Sequence, residues 1–366
     1  MNYIFIAFEE LEEGLGTGHI TRVKRIIEFI STKSFLTDNT ITFVTNNEIH
    51  NDNYFHVHVK SIEDAENKIK DLIDKKNIDV VIFDCLDYCQ ELYKVCKDNL
   101  IFTIGIDTSS SKSSDLDLLI NPSIYNKLSY FYGPMHSIHY ENTNKSVYKN
   151  KINSKKLFLC FGGIDYQEHL IKILPLLKLL PSKYELNIVL SNNFDEKTLD
   201  DIKNVNFLRK PKDFYGLLND SELAIISGGI IFQEALYLGI PTFVIPQYKH
   251  QHQVAKKRKE EGACLGFSLI KPDYGNIIYK INDLLNNIDL RIATSIKSRS
   301  LDDGLGLNRI ASSLRVYDRL EWDSNFFKKE IYILNSRCYT KSVHKKVQSL
   351  IKEKKNRPYI FFMPVK

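Results

Sequence analysis

The sequence predicts an α/β protein of two domains, each built on a parallel sheet with helices on both faces. Three observations carry this. Short, nearly all-apolar runs alternate with amphipathic segments, first over residues 3–120 and again over 157–287. Glycine pairs fall where an apolar run passes into a helical one, at 16 and 18, 162 and 163, and 228 and 229. A length of 366 residues exceeds one ordinary core and suits about two domains of ~150 residues.

In the first half the strand candidates are 3–8, 41–45, 55–59, 79–84, 100–106 and 117–120, with helix candidates at 19–32, 61–76 and 87–98. A run such as Val80-Val81-Ile82-Phe83 has no polar side to give to water, so its sheet is covered on both faces. Residues 137–156 are rich in Asn, Lys and Ser without a period and form a linker. The second series has strands at 157–161, 185–190, 205–208, 223–227 and 242–246, and helices at 165–179, 213–219, 230–238, 250–261 and 273–287. A helix-rich closing segment spans 291–320. A tail follows, of strand (330–334), basic helix (341–355) and strand (358–363). The resulting domains are 1–140, 151–315 and an α+β appendage at 320–366.

Composition narrows the class. The chain is 43% hydrophobic and 26% charged with a net charge of +5. The densest basic runs, Lys256 to Lys259 and Lys352 to Lys355, carry neighbouring Glu and suit solvated helix faces, so no nucleic-acid partner is expected. No stretch reaches the ~20 apolar residues of a membrane span, and the N-terminus lacks the features of a signal peptide; a cytoplasmic protein is expected. None of the six cysteines is spaced Cys-x-x-Cys, and Cys85 and Cys89 have no histidine pair near them, so no metal site is expected.

Four constellations carry the chemistry. Gly14-Leu15-Gly16-Thr17-Gly18-His19 opens the first helix, where glycines allow close approach and free N–H groups attract anions. The third glycine of a dinucleotide-binding turn is missing. His19 stands there instead, either as a base acting near neutral pH or as a packing residue. Gly162-Gly163-Ile164-Asp165 is either a second close approach to ligand or a tight turn with Asp165 as N-cap. Ser227-Gly228-Gly229-Ile230 leads into a helix as a phosphate cradle of backbone N–H groups, and Glu234 one turn on can hold a ribose or face solvent. In Gln247 to Gln253 the polar amides suit sugar or phosphate contacts; His250 and His252, two apart on a helix, point to different faces and make a poor metal pair.

The third and fourth constellations resemble the C-terminal half of the peptidoglycan N-acetylglucosaminyltransferase group. A closer resemblance is to the UDP-2,4-diacetamido-2,4,6-trideoxy-β-L-altropyranose hydrolases of the pseudaminic acid pathway. It rests on Gly16-Thr17-Gly18-His19-Ile20-Thr21-Arg22, Ile82-Phe83-Asp84, Gly162-Gly163-Ile164-Asp165, the stretch from Ile226-Ser227 to Glu234-Ala235, and Gln251 ahead of Gly262, in that order over about residues 1–315. Asp303-Gly304-x-Gly306-x-x-Arg309 is similar to the closing helix of such proteins.

The resemblance implies a GT-B-type fold of two Rossmann-like lobes and release of UDP from a UDP-linked diacetamido sugar, with no cofactor and no metal. It implies His19 as general base toward water at the anomeric carbon, UDP departing onto residues 227–231, Glu234 on the ribose and Gln251 on phosphate or sugar. Gly16, Thr17, Gly18, Glu10, Asp84, Gly162, Gly163, Asp165, Ser227, Gly228, Gly229 and Ile230 complete the expected substrate site. The sequence departs from the family where Phe8 and Glu10 replace an Arg-x-Asp and Leu86 replaces a Tyr, all beside the sugar.

The tail segment from Leu320 to Phe327 resembles the opening of GNAT-fold amino-sugar N-acetyltransferases, which implies association with or fusion to such an enzyme. Two other readings of the cleft stand beside the hydrolase: a glycosyltransferase using a UDP-sugar for surface-glycan synthesis, and a non-catalytic nucleotide-sugar-binding module, against which an intact His19 weighs.

Overall fold

Every apolar run of the two series becomes a strand of a parallel sheet. The computed structural model describes residues 2–8, 18–32, 40–48, 54–84, 90–107, 116–123, 131–139, 152–195, 203–311, 332–335 and 360–363. The chain divides into two units, Met1–Arg309 and Ile310–Lys366.

The first sheet comprises β1 (Asn2–Ala7), β2 (Thr40–Thr45), β3 (Phe55–His58), β4 (Val80–Asp84), β5 (Phe102–Ile106), β6 (Leu118–Asn121) and β7 (Phe131–Tyr132), in the spatial order β3-β2-β1-β4-β5-β6-β7. Its neighbours are all parallel; Ile4, for example, pairs with Thr42 on one side and Val81 on the other. The helices are α1 (Gly18–Thr32), α2 (Ile62–Lys75) and α3 (Gln90–Asp98). Ile4, Ile6, Val81 and Phe83 pack on one face with Ala65, Ile69 and Ile73 of α2 and Leu92 of α3. The β1–β2 connection runs the opposite way along the sheet, so a right-handed crossover puts α1 on the other face. Its Ile20, Val23, Ile26, Ile27 and Ile30 are buried, at the spacing of one helix face.

The second sheet comprises β8 (Lys156–Cys160), β9 (Glu185–Val189), β10 (Val205–Leu208), β11 (Leu223–Ile226), β12 (Thr242–Val244) and β13 (Gly266–Phe267), in the order β10-β9-β8-β11-β12-β13 and again parallel. Its strands alternate strictly between two cores. Leu157, Leu159, Leu223 and Ile225 enter one; Phe158, Cys160, Ala224 and Ile226 enter the other. The helices are α4 (His169–Ile173), α5 (Phe214–Asn219), α6 (Ile230–Leu238), α7 (Lys249–Glu260), α8 (Tyr274–Asn286) and α9 (Ile288–Leu301). Two lobes of GT-B type, each doubly wound, are thus present.

The structure departs from the sequence reading in small ways, each with a local cause. The helix expected over 165–179 is α4 followed by a 3₁₀ segment, Leu174–Leu179, because Pro175 lacks an N–H and crowds the preceding turn. β7 and β13 were not anticipated; two residues are too few to show a period. α9 starts before the expected 291, where Asn287 caps the Leu290 N–H at 3.0 Å. Of the linker, residues 140–151 lie outside the described set, and Lys156 already belongs to β8.

The glycine pattern 303–309 forms a joint between the end of lobe one and the end of lobe two. A Cβ on Gly306 would collide with the Ser137 carbonyl oxygen. Arg309 donates to Met135 O at 2.7 Å and pairs with Asp303 at 2.6 Å. His139 stacks on Tyr237 with ring centroids 3.9 Å apart and lies 3.2 Å from an Asp302 carboxylate oxygen.

In the second unit β14 (Tyr332–Asn335) and β15 (Ile360–Met363) pair in parallel, Tyr332 opposite Ile360. The expected strands 330–334 and 358–363 are met in outline. The helix 341–355 and the stretch 320–327 lie outside the described residues.

Because nothing larger than hydrogen fits at residue 306, Gly306→Ala should destabilise the first unit by about 1–3 kcal/mol. Urea unfolding followed by circular dichroism is the check: an unchanged midpoint would show that the joint adapts without cost.

Candidate active site

In a parallel open sheet the ligand crevice lies at the C-terminal ends of the strands where the order reverses. In lobe one that point is between β1 and β4; in lobe two it is between β8 and β11. The residues at both points line one cavity of about 380 Å³ between the lobes. Lobe one contributes Gly18, His19, Arg22 and Arg25 from α1, Asp107 from the end of β5 and Ser123 just beyond β6. Lobe two contributes Gly162 and Gly163 after β8, Ser227 to Ile231 after β11, Gln233 and Glu234 of α6, and Gln247, His250 and Gln251 around the start of α7.

The ordering element is the polar face of α1. His19, Arg22 and Arg25 recur every third residue and lie on the same side of a helix whose other buried residues are mostly apolar. Asp84, the last residue of β4, is fully buried. Its Oδ1 lies 2.7 Å from His19 Nδ1, and it receives Arg22 Nε at 2.7 Å and Arg22 Nη2 at 2.5 Å. Arg22 Nη1 reaches Asp107 Oδ2 at 2.8 Å. Burial is the largest influence on Asp84 and would push its carboxyl up; the Arg22 charge and hydrogen bonds, with His19, outweigh it and hold Asp84 below the usual carboxylate range. Arg22 is likewise disfavoured by burial but is held protonated by Asp84 and Asp107.

An ionised carboxylate only accepts, so the short contact to His19 requires a hydrogen on Nδ1. Arg22 Nη2 stands 3.2 Å from the same nitrogen; both then carry hydrogen, and the contact is proximity rather than a bond. In the neutral form of the ring the lone pair is then on Nε2, the arrangement that orients a general base.

In lobe two, Gly229 is the N-cap of α6 and no described side chain caps its first turn; Phe232 N–H bonds Gly229 O, and the N–H groups of Ile230 and Ile231 remain available to an anion. Gly228 lies under α7: a Cβ there would meet Gln251 Cβ at 2.8 Å. Gln251 itself accepts the Gln247 N–H at 2.9 Å. Gln247 in turn accepts Tyr166 N–H at 2.8 Å and donates to Phe161 O and Ile164 O, tying the two glycine turns together. Glu234, 2% exposed, receives Arg25 Nη2 at 2.5 Å and Tyr215 Oη at 2.6 Å on Oε1; Oε2 accepts no hydrogen bond among the described residues.

Most of the expected site residues therefore converge. Gly18, His19, Gly162, Gly163, Ser227, Gly228, Gly229, Ile230, Glu234 and Gln251 line the cavity, with Asp84 directly behind His19. Asp165 lies beside the lining: its Oδ2 accepts Leu170 N–H at 2.8 Å at the start of α4, and burial raises its carboxyl pKa. Gly16, Thr17 and Glu10 lie outside the described residues, as do Cys85, Leu86 and Cys89. Phe8 is buried in the lobe-one core. His250 lines the cavity and stacks on Tyr248, whereas His252 packs edge-on against Phe267, so the two face different neighbours. Burial holds His250 below its ordinary value, with Asp107 opposing and His19 and Arg22 adding to the shift. Cys160 also borders the cavity, and burial pushes its thiol up to about 12, which keeps it an unreactive thiol.

Sequence reading assigned no role to Arg25, Asp107, Ser123 or Gln233, nor to Arg22 beyond its place in the motif. Some signal existed for the two arginines and Asp107, none for Ser123 or Gln233. Polar residues at 19, 22 and 25 share one face of α1, and Asp107 directly follows an apolar strand, much as Asp84 closes one.

No protein-family model matches the sequence. The chain is 24% identical over 334 residues to the spore coat polysaccharide biosynthesis protein SpsG of Bacillus subtilis, covering 82% of this chain and 94% of that protein. In structure it is similar to MurG of Acinetobacter baumannii, with a TM-score of 0.64 at 10% identity over 86% of this chain and 99% of that one. It is also similar to a UDP-GlcNAc 2-epimerase of Neisseria meningitidis bound to UDP-GlcNAc, with a TM-score of 0.60 at 13% identity over 86% and 99%. These likenesses establish the GT-B fold. No described helix is long and apolar enough to cross a membrane.

The Asp84 shift has a signed consequence. Its folded pKa lies below the unfolded value of about 3.9, so the unfolded chain binds more protons in that window and stability rises with pH there. The contribution is complete above the unfolded value and is lost as pH falls through the folded one. Urea midpoints measured from pH 6 down to pH 2.5 should fall more steeply for the native chain than for Asp84→Asn; parallel curves would show that Asp84 is not the titrating group.

Proposed function

We propose that the chain is a nucleotide-sugar hydrolase that releases UDP from a UDP-linked diacetamido-trideoxy sugar. The observation that carries the reading is His19: its Nδ1 is tied to a buried ionised carboxylate and its ring lines a cavity shared with the uncapped start of α6. In this reading His19 Nε2 takes a proton from water while the water oxygen bonds to the anomeric carbon. The bond from that carbon to the β-phosphate oxygen breaks, and UDP leaves with the electron pair. Asp84 stabilises the imidazolium that forms, and the N–H groups at 228–231 receive the diphosphate charge, that of Ser227 being already given to Cys160 O. In the same reading Oε2 of Glu234 accepts ribose hydroxyls; Oε1 is held by Arg25 and Tyr215.

The comparisons support this reading in outline. SpsG is named for polysaccharide biosynthesis, and the Neisseria epimerase with the same fold holds UDP-GlcNAc. Fold and base chemistry suit a sugar hydroxyl as acceptor equally, and MurG shares the fold. Acceptor dependence separates the two. Incubation with UDP-2,4-diacetamido-2,4,6-trideoxy-β-L-altropyranose in buffer alone should liberate UDP and free sugar. UDP that appears only after an acceptor sugar is added would replace hydrolysis by glycosyl transfer.

His19→Ala should lower UDP release by about 10²-fold or more, the range of general-base contributions. UDP affinity by calorimetry should stay within about twofold, since the imidazole acts on water rather than on UDP. Turnover at the native rate would remove His19 from the chemistry.

A further inference from the structure

The cavity wall carries a polar chain whose direction is fixed by chemistry. Asp107 Oδ2 accepts Arg22 Nη1 and also Ser123 Oγ, each at 2.8 Å. A carboxylate bonded to Arg22 only accepts, so the Ser123 hydroxyl hydrogen points to Asp107. Ser123 Oγ must then act as acceptor toward Gln233, 2.8 Å away across the lobe boundary. That sets the Gln233 amide: Nε2 faces Ser123, and Oε1 points elsewhere. Gln233 is 6% exposed and lines the cavity, yet Oε1 has no hydrogen-bond partner among the described residues. A buried amide carbonyl left unpaired costs more than an ordinary hydrogen bond contributes, so the fold keeps it against a cost.

We propose that Gln233 is a specificity residue: its Oε1 accepts a hydrogen bond from an O–H or N–H of the glycosyl group of the bound nucleotide-sugar. The inference rests on the nucleotide-sugar reading above and adds to it a residue that recognises the sugar. The ligand group must be a donor, which excludes the phosphates, whose oxygens only accept near neutral pH. The glycosyl group is favoured over the ribose by position. The Gln233 amide is anchored through Ser123 and Asp107 to Arg22, on the wall that carries His19. Glu234 is the next residue on α6, turned about 100° away, and engages Arg25 and Tyr215 instead.

Calorimetry on the full chain tests this with UDP, UDP-N-acetylglucosamine and UDP-2,4-diacetamido-2,4,6-trideoxy-β-L-altropyranose as ligands. Gln233→Met keeps the side-chain length and removes the acceptor. The UDP dissociation constant should change by less than about twofold, while that of the tighter UDP-sugar should rise about three- to tenfold. Ser123→Ala, which frees the amide to turn, should give a smaller loss of the same selective kind and serves if Gln233→Met does not fold. Equal losses for UDP and UDP-sugar would place the contact on the nucleotide and overturn the proposal, as would no loss for either. A native chain that binds UDP but neither UDP-sugar would also overturn it. A native chain that does not bind UDP at all would instead sink the nucleotide-sugar reading beneath it.

Discussion

The Arg22 guanidinium, buried between Asp84 and Asp107, is the interaction on which the site depends. Asp84 has no exposure to water, and burial alone would favour its neutral form. A protonated Asp84 could donate a hydrogen to His19 and reverse the tautomer. Arg22 prevents this by placing a cation on both carboxylate oxygens. Charges withdrawn from water are expensive, and the cost is met only when every partner is present. The same side chain fixes Asp107, and through it Ser123 and Gln233, so one cation on α1 organises polar groups from four lobe-one segments and reaches α6 of the other lobe.

The rest of the fold brings two such edges together. Each sheet reverses its strand order beside its first strand, so each lobe opens a crevice at the same relative place. Close approach then needs small residues. Gly228 lets α7 lie against the turn that starts α6, and Gly306 lets the closing segment lie on the 137 carbonyl. Across the cleft the Arg25–Glu234 pair and the Ser123–Gln233 bond span the lobes directly. The elements carrying His19 and the glycine turn before α6 are therefore joined by direct contacts at the cavity.

The lobes were legible in the sequence because parallel strands covered on both faces are apolar throughout, and because the glycine turns at 162–163 and 228–229 sit at strand ends. Val80 to Phe83 and Leu223 to Ile226 could hardly be anything else. His19, residues 227–230 and Glu234 were legible from motif order, and all of them line the cavity. Pro175 shortened a helix that apolar spacing alone extended, and the two-residue strands β7 and β13 carried no period to read. Arg22, Asp107, Ser123 and Gln233 acquire meaning only in three dimensions, since their partners lie 16 to 110 positions away in sequence. Asp165 is divided: its Oδ2 is taken by a local hydrogen bond to α4, while Oδ1 is buried with no hydrogen bond among the described residues.

Asp84, held ionised by Arg22, selects the His19 tautomer with hydrogen on Nδ1 and a lone pair on Nε2. Nitrogen-15 NMR of ¹⁵N-histidine-labelled protein near pH 8, with His19 assigned from His19→Ala, reads it directly. A protonated Nδ1 and an unprotonated Nε2 are expected in the native chain, with loss of that preference in Arg22→Met. A native His19 with its hydrogen on Nε2 would contradict it.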